Sequence, residues 1–415
     1  MNILGIIAEF NPFHNGHLYL LQEALKSEQF SGTVCVMSGN FVQRGEPAFC
    51  NKWVRTQMAL EAGADLVIEI PFCFAVRSAY YFARGAIQLL DRTGVITHLA
   101  FGSESGNLQE LKSVSSLLAN ESPAYQHILK KQLSLGLSFP VARSIALQAY
   151  FGESVPDVQQ IIEQPNNILG LEYLKVLEQE ALKISPLTFA RKGSGYNSKA
   201  LSDYASASAI RSSFSHPEKR EEIAKSMPAG ILSLLEEEIR MGRAPITLNS
   251  MEQLILFKLR TTPLDRLGKI CEISEGLENR IQKAATSCGN IEELRHRVKS
   301  KRYSLSRINR SLLYALMDLD AERIASFDEI GPQYLHILGF SSQGQNILQE
   351  MKNNSEIPIL SRGSAVKALQ SNQENPLASS MIDLDVQASN VYTLLYPNAE
   401  WRTGDLDFLT SPIRF

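Results

Sequence analysis

Short apolar runs alternate with helix-like stretches through residues 1–200 of the chain. Four of these runs are brief and rich in β-branched residues, which is typical of buried strands. They are Ile3–Ala8, Thr33–Met37, Ala64–Ile70 and Thr97–Phe101. Between them, apolar positions at Leu18, Leu21 and Leu25 and the stretch Trp53–Ala62 indicate helices. This alternation predicts an α/β fold, with a Rossmann-like parallel sheet and right-handed crossovers.

A different pattern begins after Ser215-His216-Pro217, which we interpret as a boundary. The segments that follow have mostly helical periodicity, for example Ile223–Met241 and Ile291–Leu316. The end of the chain mixes short apolar runs with Gly, Ser, Asn and Pro. We therefore predict three regions: a Rossmann-like domain over 1–215, a mostly helical domain over 216–330 and a small mixed C-terminal region over 331–415.

Composition narrows the class of protein. Of 415 residues, 44% are hydrophobic and 20% are charged, as in ordinary globular chains. The five cysteines form no C-x-x-C pair, which predicts neither a disulfide framework nor a zinc site. Because neither a signal-peptide pattern nor a stretch of about 20 apolar residues occurs, we expect a cytoplasmic protein without a membrane partner. The net charge of −3 means that any RNA-binding surface must come from local clustering.

Candidate chemistry is concentrated after the first predicted strand, where residues 11–17 read N-P-F-H-N-G-H. A helix beginning near His14 would offer unpaired N–H groups and the positive end of its dipole to an anion. Gly16 removes a side chain where a phosphate would need close backbone approach. His14 and His17 are three residues apart, so both imidazoles can follow charge that builds on an α-phosphate. The strand–turn–helix Ile3–Leu25 therefore predicts ATP binding and attack at the α-phosphate.

Two other interpretations of the histidines compete with this one. A histidine pair at this spacing can bind a metal, but no third ligand stands nearby in H-E-x-x-H fashion. The histidines can also merely cap the helix. The preceding strand and Gly16 favour the phosphate, and we predict no metal ligand among the protein's own residues.

A second candidate segment, Ser206-Ala207-Ser208-Ala209-Ile210-Arg211, places two hydroxyls before an arginine at a predicted helix start. With H-N-G-H at residues 14–17, it resembles the two signatures of the H-x-G-H nucleotidyltransferase superfamily. By that resemblance, Ser206 and Ser208 hold the β- and γ-phosphates, and Arg211 acts with the two histidines by neutralising the leaving pyrophosphate. A simple helix cap is the alternative interpretation of the serines.

Further stretches narrow the resemblance. They are Met37–Ala48, Lys52–Arg55, Phe101–Glu104, Pro165–Gly170 and Arg191–Gly193. Together with N-P-F-H-N-G-H, they resemble the bacterial tRNA(Met) cytidine acetate ligases, most densely over residues 1–215. Members of that family use ATP to activate acetate as acetyl-adenylate and then acetylate N4 of the wobble cytidine of elongator tRNA(Met). The resemblance implies ATP, acetate and this tRNA as partners, with Mg²⁺ on the ATP phosphates and residues 1–215 as the catalytic domain.

The resemblance also implies the nucleotide contacts. They are Ile7, Ala8, Glu9, Phe10, Asn11, Pro12, Phe13, His14, Asn15, Gly16, His17, Leu18, Tyr19 and Leu20, followed by Gly102, Asn167 and Arg191. Asn166 and Lys192 remain open alternatives to their neighbours Asn167 and Arg191. Simpler interpretations are a strand-end turn for Gly102 and a helix cap for either asparagine.

A cationic cluster in the helical region is the candidate RNA surface. Within Ile291–Arg310, seven Lys and Arg residues stand against two glutamates. Arg295, Lys299 and Arg302 fall at i, i+4 and i+7, so one helix would present them as a stripe for tRNA phosphates, with Tyr303 beside it to stack on a base. The alternative is that these charges only solvate an exposed helix face.

Two other functions share parts of this pattern. An adenylyltransferase acting on a small phosphorylated cofactor precursor would use the same N-terminal segment, but such enzymes rarely need about 200 residues more. A non-catalytic RNA-binding protein that kept the fold would show a decayed histidine pair or a decayed Ser/Arg segment. Both segments are present, so the ATP-dependent ligase is the function that we predict.

Overall fold

The computed structural model describes residues 2–137, 139–155, 158–192 and 201–415, with the backbone alone at 139 and 140. Its strands are β1 (Ile3–Ala8), β2 (Gly32–Ser38), β3 (Phe41–Val42), β4 (Glu46–Pro47), β5 (Leu66–Ile70), β6 (His98–Ser103), β7 (Ser185–Ala190), β8 (Leu335–Phe340), β9 (Ile359–Leu360) and β10 (Ile413–Arg414). One sheet has the strand order β10-β8-β5-β2-β1-β6-β7, with β9 beside β8, and β3 and β4 form a separate pair.

Helices surround this sheet. They are α1 (Asn15–Ser27), α2 (Lys52–Glu61), α3 (Phe72–Ala75), α4 (Ala79–Asp91), α5 (Leu108–Ala119), α6 (Pro123–Ser134), α7 (Phe139–Phe151), α8 (Val158–Glu163), α9 (Pro165–Gln179), α10 (Ala207–Ser213), α11 (Arg220–Lys225), α12 (Ala229–Arg240), α13 (Glu252–Thr261), α14 (Leu264–Leu267), α15 (Leu277–Ser287), α16 (Ile291–Val298), α17 (Leu305–Leu316), α18 (Ala321–Ile330), α19 (Ser342–Asn354), α20 (Gly363–Gln370), α21 (Pro376–Thr393) and α22 (Leu406–Leu409). Short 3-10 turns lie at Gly152–Ser154, Pro217–Lys219, Leu248–Met251 and Ala399–Trp401.

The strands at the centre of the sheet are parallel, as the alternating pattern predicts. β1 pairs in parallel with β2 and β6, and these pair in parallel with β5 and β7. All residues of β2 and β5 are buried. Val34 and Val36 belong to one hydrophobic cluster and Cys35 and Met37 to another, because successive side chains of a strand point to opposite faces. Both faces are therefore covered, and the predicted α/β class is confirmed.

The C-terminal region extends the same sheet. β8 pairs antiparallel with β5, and β10 pairs with β8. The Tyr392 hydroxyl donates to the Ala48 carbonyl at 2.8 Å, and Asn40 donates to Ser389 at 3.2 Å. The C-terminal region thus shares its sheet and its hydrophobic core with the N-terminal region. A pairing over some 270 positions leaves no local pattern, which is why the sequence did not indicate it.

The helical region is more broken than predicted. Ile223–Met241 contains the end of α11 and all of α12, with Pro228 at the N-cap of α12. The stretch Ile291–Leu316 is interrupted after Val298, where Lys299 has extended dihedral angles. The Arg280 guanidinium donates to the carbonyls of Arg297 and Lys299 at 2.9 and 2.8 Å, so it satisfies the end of α16 from outside the helix.

Candidate active site

The turn between β1 and α1 holds the two histidines by their ring nitrogens. His14 is the N-cap of α1, and its Nδ1 accepts the Gly16 N–H at 3.0 Å. The Nδ1 of His17 accepts the His14 N–H at 3.2 Å, which completes a reciprocal capping box. Because an imidazole nitrogen that accepts carries no proton, each neutral ring bears its hydrogen on Nε2. Capping and phosphate binding are therefore compatible, since capping uses only one edge of each ring.

The environment of the pair keeps it neutral. The rings stack with their centroids 3.8 Å apart, and His14 is buried. Burial, followed by the positive field of Arg191 and Arg211, lowers the pKa of His14 to about 3. Burial and the neighbouring His14 ring lower the pKa of His17 well below its usual value. In the described part of the chain, no residue accepts a hydrogen bond from either Nε2, so both remain donors for a ligand.

Two glycines make room for these functional side chains. A Cβ on Gly16 would lie 2.8 Å from Cε1 of His14, so the glycine makes room for the capping imidazole. This differs from the predicted role in close phosphate approach. A Cβ on Gly102 would lie 3.3 Å from Cγ of Arg191, so this glycine lets the arginine lie across the end of β6.

A cleft of about 750 Å³ opens at the carboxyl ends of β1 and β6, where ligands bind in parallel α/β sheets. Most residues of the predicted site line it. They are Ile7, Ala8, Glu9, Phe10, Asn11, Phe13, His14, His17, Leu20, Gly102, Arg191, Ser206, Ser208 and Arg211. The structure thus brings together segments that lie nearly 200 positions apart in the sequence.

Six predicted contacts do not line this cleft. They are Pro12, Asn15, Gly16, Leu18, Tyr19 and Asn167. The Asn15 side chain instead donates to the carbonyls of Asp203 and Lys225 at 2.9 and 2.8 Å. It therefore ties α1 to the segment that follows residue 201.

Asn166 differs from Asn167, and Arg191 from Lys192, in position relative to the cleft. Asn167 is buried, and its Oδ1 accepts the Glu104 N–H at 2.9 Å. Asn166 lies on the cleft wall and accepts from Nη1 of Arg191 at 3.2 Å. Lys192 places Nζ over the Tyr19 ring and does not line the cleft, whereas Arg191 does. Asn166 and Arg191 are thus the members of the two pairs that line the cleft.

The second signature packs directly against the first. Ser206 caps α10 by accepting the Ala209 N–H at 3.2 Å, and its hydroxyl lies 3.1 Å from that of Ser208. The helix-cap interpretation of Ser206 is therefore correct, although the same residue also faces the cleft. Nη1 of Arg211 donates to the Asn11 carbonyl at 2.7 Å, so this guanidinium fixes the turn and leaves further donors for a ligand.

The loop after β2 contributes residues that the sequence indicated only as part of a longer resemblance. Gln43 and Arg44 line the cleft, and the Gln43 N–H donates to Oε1 of Glu9 at 2.9 Å. Arg55 lies beneath this loop rather than in solvent. It is fully buried and donates to the carbonyls of Glu9, Ser38, Gly39 and Cys50.

Among the described residues, one buried group has the composition of a metal site: Glu69, His336 and Asp407. Its centre is taken by the Lys52 ammonium, which contacts both carboxylates and lies 2.7 Å from Oε2 of Glu69. These two carboxylates raise the pKa of Lys52 despite its burial, so the lysine supplies the positive charge. The group therefore joins the C-terminal segment to α2 and β5 as a salt-bridge network.

The predicted cationic stripe is not formed. Arg295 is half-buried in α16, Lys299 follows its last turn, and Arg302 lies in the next loop, paired with Glu275. Tyr303 is buried and donates to the Ser274 carbonyl at 3.3 Å, so its ring cannot stack on a base. The prediction of one helical stripe is therefore wrong, because the helix ends within it.

In the ranges that the structure describes, every helix is too short or too polar to cross a bilayer.

The fold, the H-x-G-H turn and the arginine-lined cleft define a nucleotidyltransferase. In agreement, residues 1–407 match the HIGH nucleotidyl transferase family. A tRNA(Met) cytidine acetate ligase of Syntrophomonas wolfei is 55% identical over 413 residues, covering 100% of this chain and 99% of the relative. One of Halothermothrix orenii is 39% identical and covers 100% of both. The chain therefore belongs to the family of tRNA(Met) cytidine acetate ligases.

A solved structure agrees with this assignment. The crystal structure of Thermotoga maritima TmcAL bound with alpha-thio ATP is 37% identical, has a TM-score of 0.93 and covers 100% of both chains. The apo form of the same protein has a TM-score of 0.94 at the same identity and coverage. Similarity at this level extends over the whole fold, including the strands that the C-terminal region adds to the sheet.

Proposed function

We propose that this chain is a cytoplasmic ATP-dependent ligase that acetylates N4 of the wobble cytidine of elongator tRNA(Met). It activates acetate as acetyl-adenylate and releases AMP and diphosphate. The observation that carries this proposal is the pair of neutral, backbone-held imidazoles in a cleft that also contains Arg191 and Arg211. The names of its relatives, which are tRNA(Met) cytidine acetate ligases, supply the substrate class.

The first step joins acetate to AMP. Acetate is already an anion and needs no base, so the protein has to align its oxygen with the α-phosphate. The Nε2–H groups of His14 and His17 donate to the phosphate oxygens as negative charge builds there. The guanidinium of Arg211 neutralises the departing diphosphate.

Magnesium fits this site only through the nucleotide. The described cleft lining offers arginine and histidine around the proposed phosphate position, and its carboxylates are confined to Glu9 and Glu46. A Mg²⁺ ion held mainly by phosphate oxygens and water would add charge neutralisation for the leaving diphosphate.

The second step requires the target cytosine to leave its stack and enter the cleft. The cleft wall includes the aromatic rings of Phe10, Phe82 and Tyr173, which can support a planar base. N4 then attacks the acetyl carbonyl carbon while AMP departs. The cleft volume of about 750 Å³ is within the usual range for ligand pockets.

The loop that follows α16 is our candidate for the tRNA backbone contact. Lys299 and Arg302 are exposed there, and Lys301 is exposed between them. Arg295 is half-buried, and its Nε is buried without a hydrogen-bond partner, so it can contribute only through its remaining N–H groups. Lysine and arginine at an exposed loop suit phosphate contacts, which position an RNA without reading its sequence.

The test is nucleoside analysis of tRNA(Met) after incubation with ATP, labelled acetate and the protein. We expect the label on N4 of cytidine, dependent on ATP and lost with His17→Asn. No label in the tRNA would contradict the proposal, and diphosphate release that depends on a small phosphorylated acceptor instead of acetate would favour an adenylyltransferase.

A further inference from the structure

Glu9 is one of the two carboxylates among the described residues that line the cleft. It follows the last residue of β1 and is half-buried on the cleft wall. Its Oε1 accepts the Gln43 N–H at 2.9 Å, which fixes the orientation of the carboxylate. Within the described ranges, no residue donates to Oε2. The turn between β3 and β4 therefore holds Glu9 on the cleft wall through Oε1 and leaves Oε2 for a ligand.

The transfer step needs such an acceptor. When N4 attacks the acetyl carbonyl carbon, the N4–C bond forms, the bond between that carbon and the phosphate oxygen breaks, and AMP leaves with the bonding pair. The amide product keeps one hydrogen on N4, so the other has to go to a base as a proton. A positioned base at this stage is typically worth about 100-fold or more in rate.

The other polar groups of the described cleft lining fit this task poorly. The imidazoles of His14 and His17 accept backbone N–H groups at Nδ1 and carry hydrogen at Nε2. The guanidiniums are donors only. Glu46, the other carboxylate, accepts from Nδ2 of Asn309 at 3.1 Å, which ties it to α17.

We infer that Oε2 of Glu9 accepts the N4 proton during acetyl transfer, a role that rests on the proposed function. This assigns the base of the second step to the residue that directly follows β1, at the start of the turn that contains the two histidines. The same oxygen, accepting from N4–H before attack, would also favour a base with an exocyclic amine over one with a carbonyl at that position.

The electrostatic setting of Glu9 favours proton acceptance. Burial raises its pKa above the ordinary value, while the Gln43 N–H and the nearby Arg211, Arg44 and Arg55 act in the opposite direction. A carboxylate with a raised pKa is a stronger base than one in water. Burial and the Glu9 charge also raise the pKa of Tyr173, which leaves its hydroxyl protonated.

The experiment measures the two steps separately. Acetate-dependent diphosphate release reports the first step, and single-turnover transfer from synthetic acetyl-adenylate to tRNA(Met) reports the second. For Glu9→Gln we expect transfer to slow about 100-fold or more, with diphosphate release falling less than about tenfold. The fall of the transfer rate at low pH, which reports protonation of the carboxylate in the wild type, should disappear. Glu9→Asp should restore part of the rate and the pH dependence.

Two variants serve as comparisons. Glu23→Gln, on the outer part of α1, should match the wild type in both steps, and Glu46→Gln should lose much less transfer than Glu9→Gln. Transfer by Glu9→Gln at the wild-type rate, or an equal loss of both steps, would overturn the role of Glu9. A wild-type protein that makes acetyl-adenylate but acetylates no tRNA would overturn the proposed function, and the inference with it.

Discussion

The turn at residues 10–17 and the cationic segment at residues 291–310 were both interpreted from the spacing of polar side chains, with opposite outcomes. In the turn, a three-residue spacing places His14 and His17 ring on ring. In the segment, the spacing of Arg295, Lys299 and Arg302 would form a stripe only on one continuous helix, but the helix ends at Val298. The difference is that the histidine spacing is itself the geometry of a helix start, whereas the cation spacing presupposed a helix that other contacts interrupt.

Competing partners explain the second outcome. Arg310 pairs with Glu272, Arg302 with Glu275, and these two glutamates lie some 30 positions earlier in the chain. These pairs hold Arg310 in the interior and fix Arg302, which stays exposed, against the turn that contains Glu275. Among the residues that the structure describes, the histidines have no carboxylate partner, and each ring keeps one donor. A spacing is therefore informative when the backbone itself requires it.

The largest expected effect comes from a substitution that removes the Nε2–H donor of His17 but keeps its capping contact with the His14 N–H. In His17→Asn, the amide oxygen can still accept the His14 N–H as Nδ1 does, but the Nε2–H donor is lost. We expect acetate-dependent diphosphate release to slow about 100-fold or more, on the scale of one preorganised donor. Thermal unfolding should change little, and ATP binding should weaken far less than turnover. Normal turnover would show that the imidazole edge plays no part in the chemistry.

A second test uses the pH dependence of stability in the ATP-free protein. His14 has a pKa of about 3 when folded, against an ordinary value of 6.5. Below pH 6.5 the unfolded chain takes up the proton first, so the free energy of unfolding falls as the pH falls. Between pH 7 and pH 5, the free energy of unfolding of the wild type should fall by about 2 kcal/mol more than that of His14→Asn. Asparagine at position 14 remains a good N-cap residue. Denaturant unfolding at pH 7 and pH 5 measures this loss in both proteins. Equal losses in the wild type and in His14→Asn would mean that His14 is not held neutral.

Arginine geometry should have a smaller effect. Arg191 donates to Asn166 and Arg211 to the Asn11 carbonyl, so each guanidinium is fixed on the cleft wall by a directed N–H contact and is placed to contact a ligand as well. Lysine keeps the charge but cannot make both contacts at once. We expect Arg191→Lys and Arg211→Lys to raise the ATP KM or lower kcat by about tenfold. Wild-type constants in both variants, with intact folding, would place the arginines outside the site.

The smallest effect should come from the loop cations. Lys299→Ala should weaken tRNA binding and lower the log–log salt slope by about one unit, as for one lost phosphate contact. Arg302→Ala should change the slope less, because Glu275 already pairs with that guanidinium. Arg240→Ala, on a distant exposed pair with Glu237, is the matched control. An unchanged slope in Lys299→Ala would move the RNA surface elsewhere.

The sequence predicted the parts of the fold that local pattern encodes. The bounds of β1 were predicted without error, and the β2, β5 and β6 strands within about two residues, because short buried strands between helices have a clear signature. The addition of β8 and β10 to the sheet was missed, since antiparallel pairing of β8 with β5 depends on contacts between distant segments.

Within the candidate site, too, local motifs could be predicted from the sequence, whereas contacts between distant segments could not. Motif residues such as His14 and Arg211 were predicted and lie together on the cleft. Whether Asn166 or Asn167 lines the cleft depends on which face of the first turn of α9 meets it, and a pattern of neighbours cannot show that. The free oxygen of Glu9 depends on an N–H from another loop, so only three-dimensional contacts could indicate it.

Whether both imidazoles are neutral Nε2–H donors can be measured directly by nitrogen NMR of protein with ¹⁵N-labelled histidine. His14→Asn and His17→Asn assign the two rings among the seven histidines of the chain. At pH 7 we expect both rings to show an unprotonated Nδ1 and a protonated Nε2, and the Nε2–H signals to move when ATP is added. A proton on Nδ1 of either ring, or a charged imidazolium at pH 7 without ligand, would contradict the capping arrangement and the chemistry derived from it.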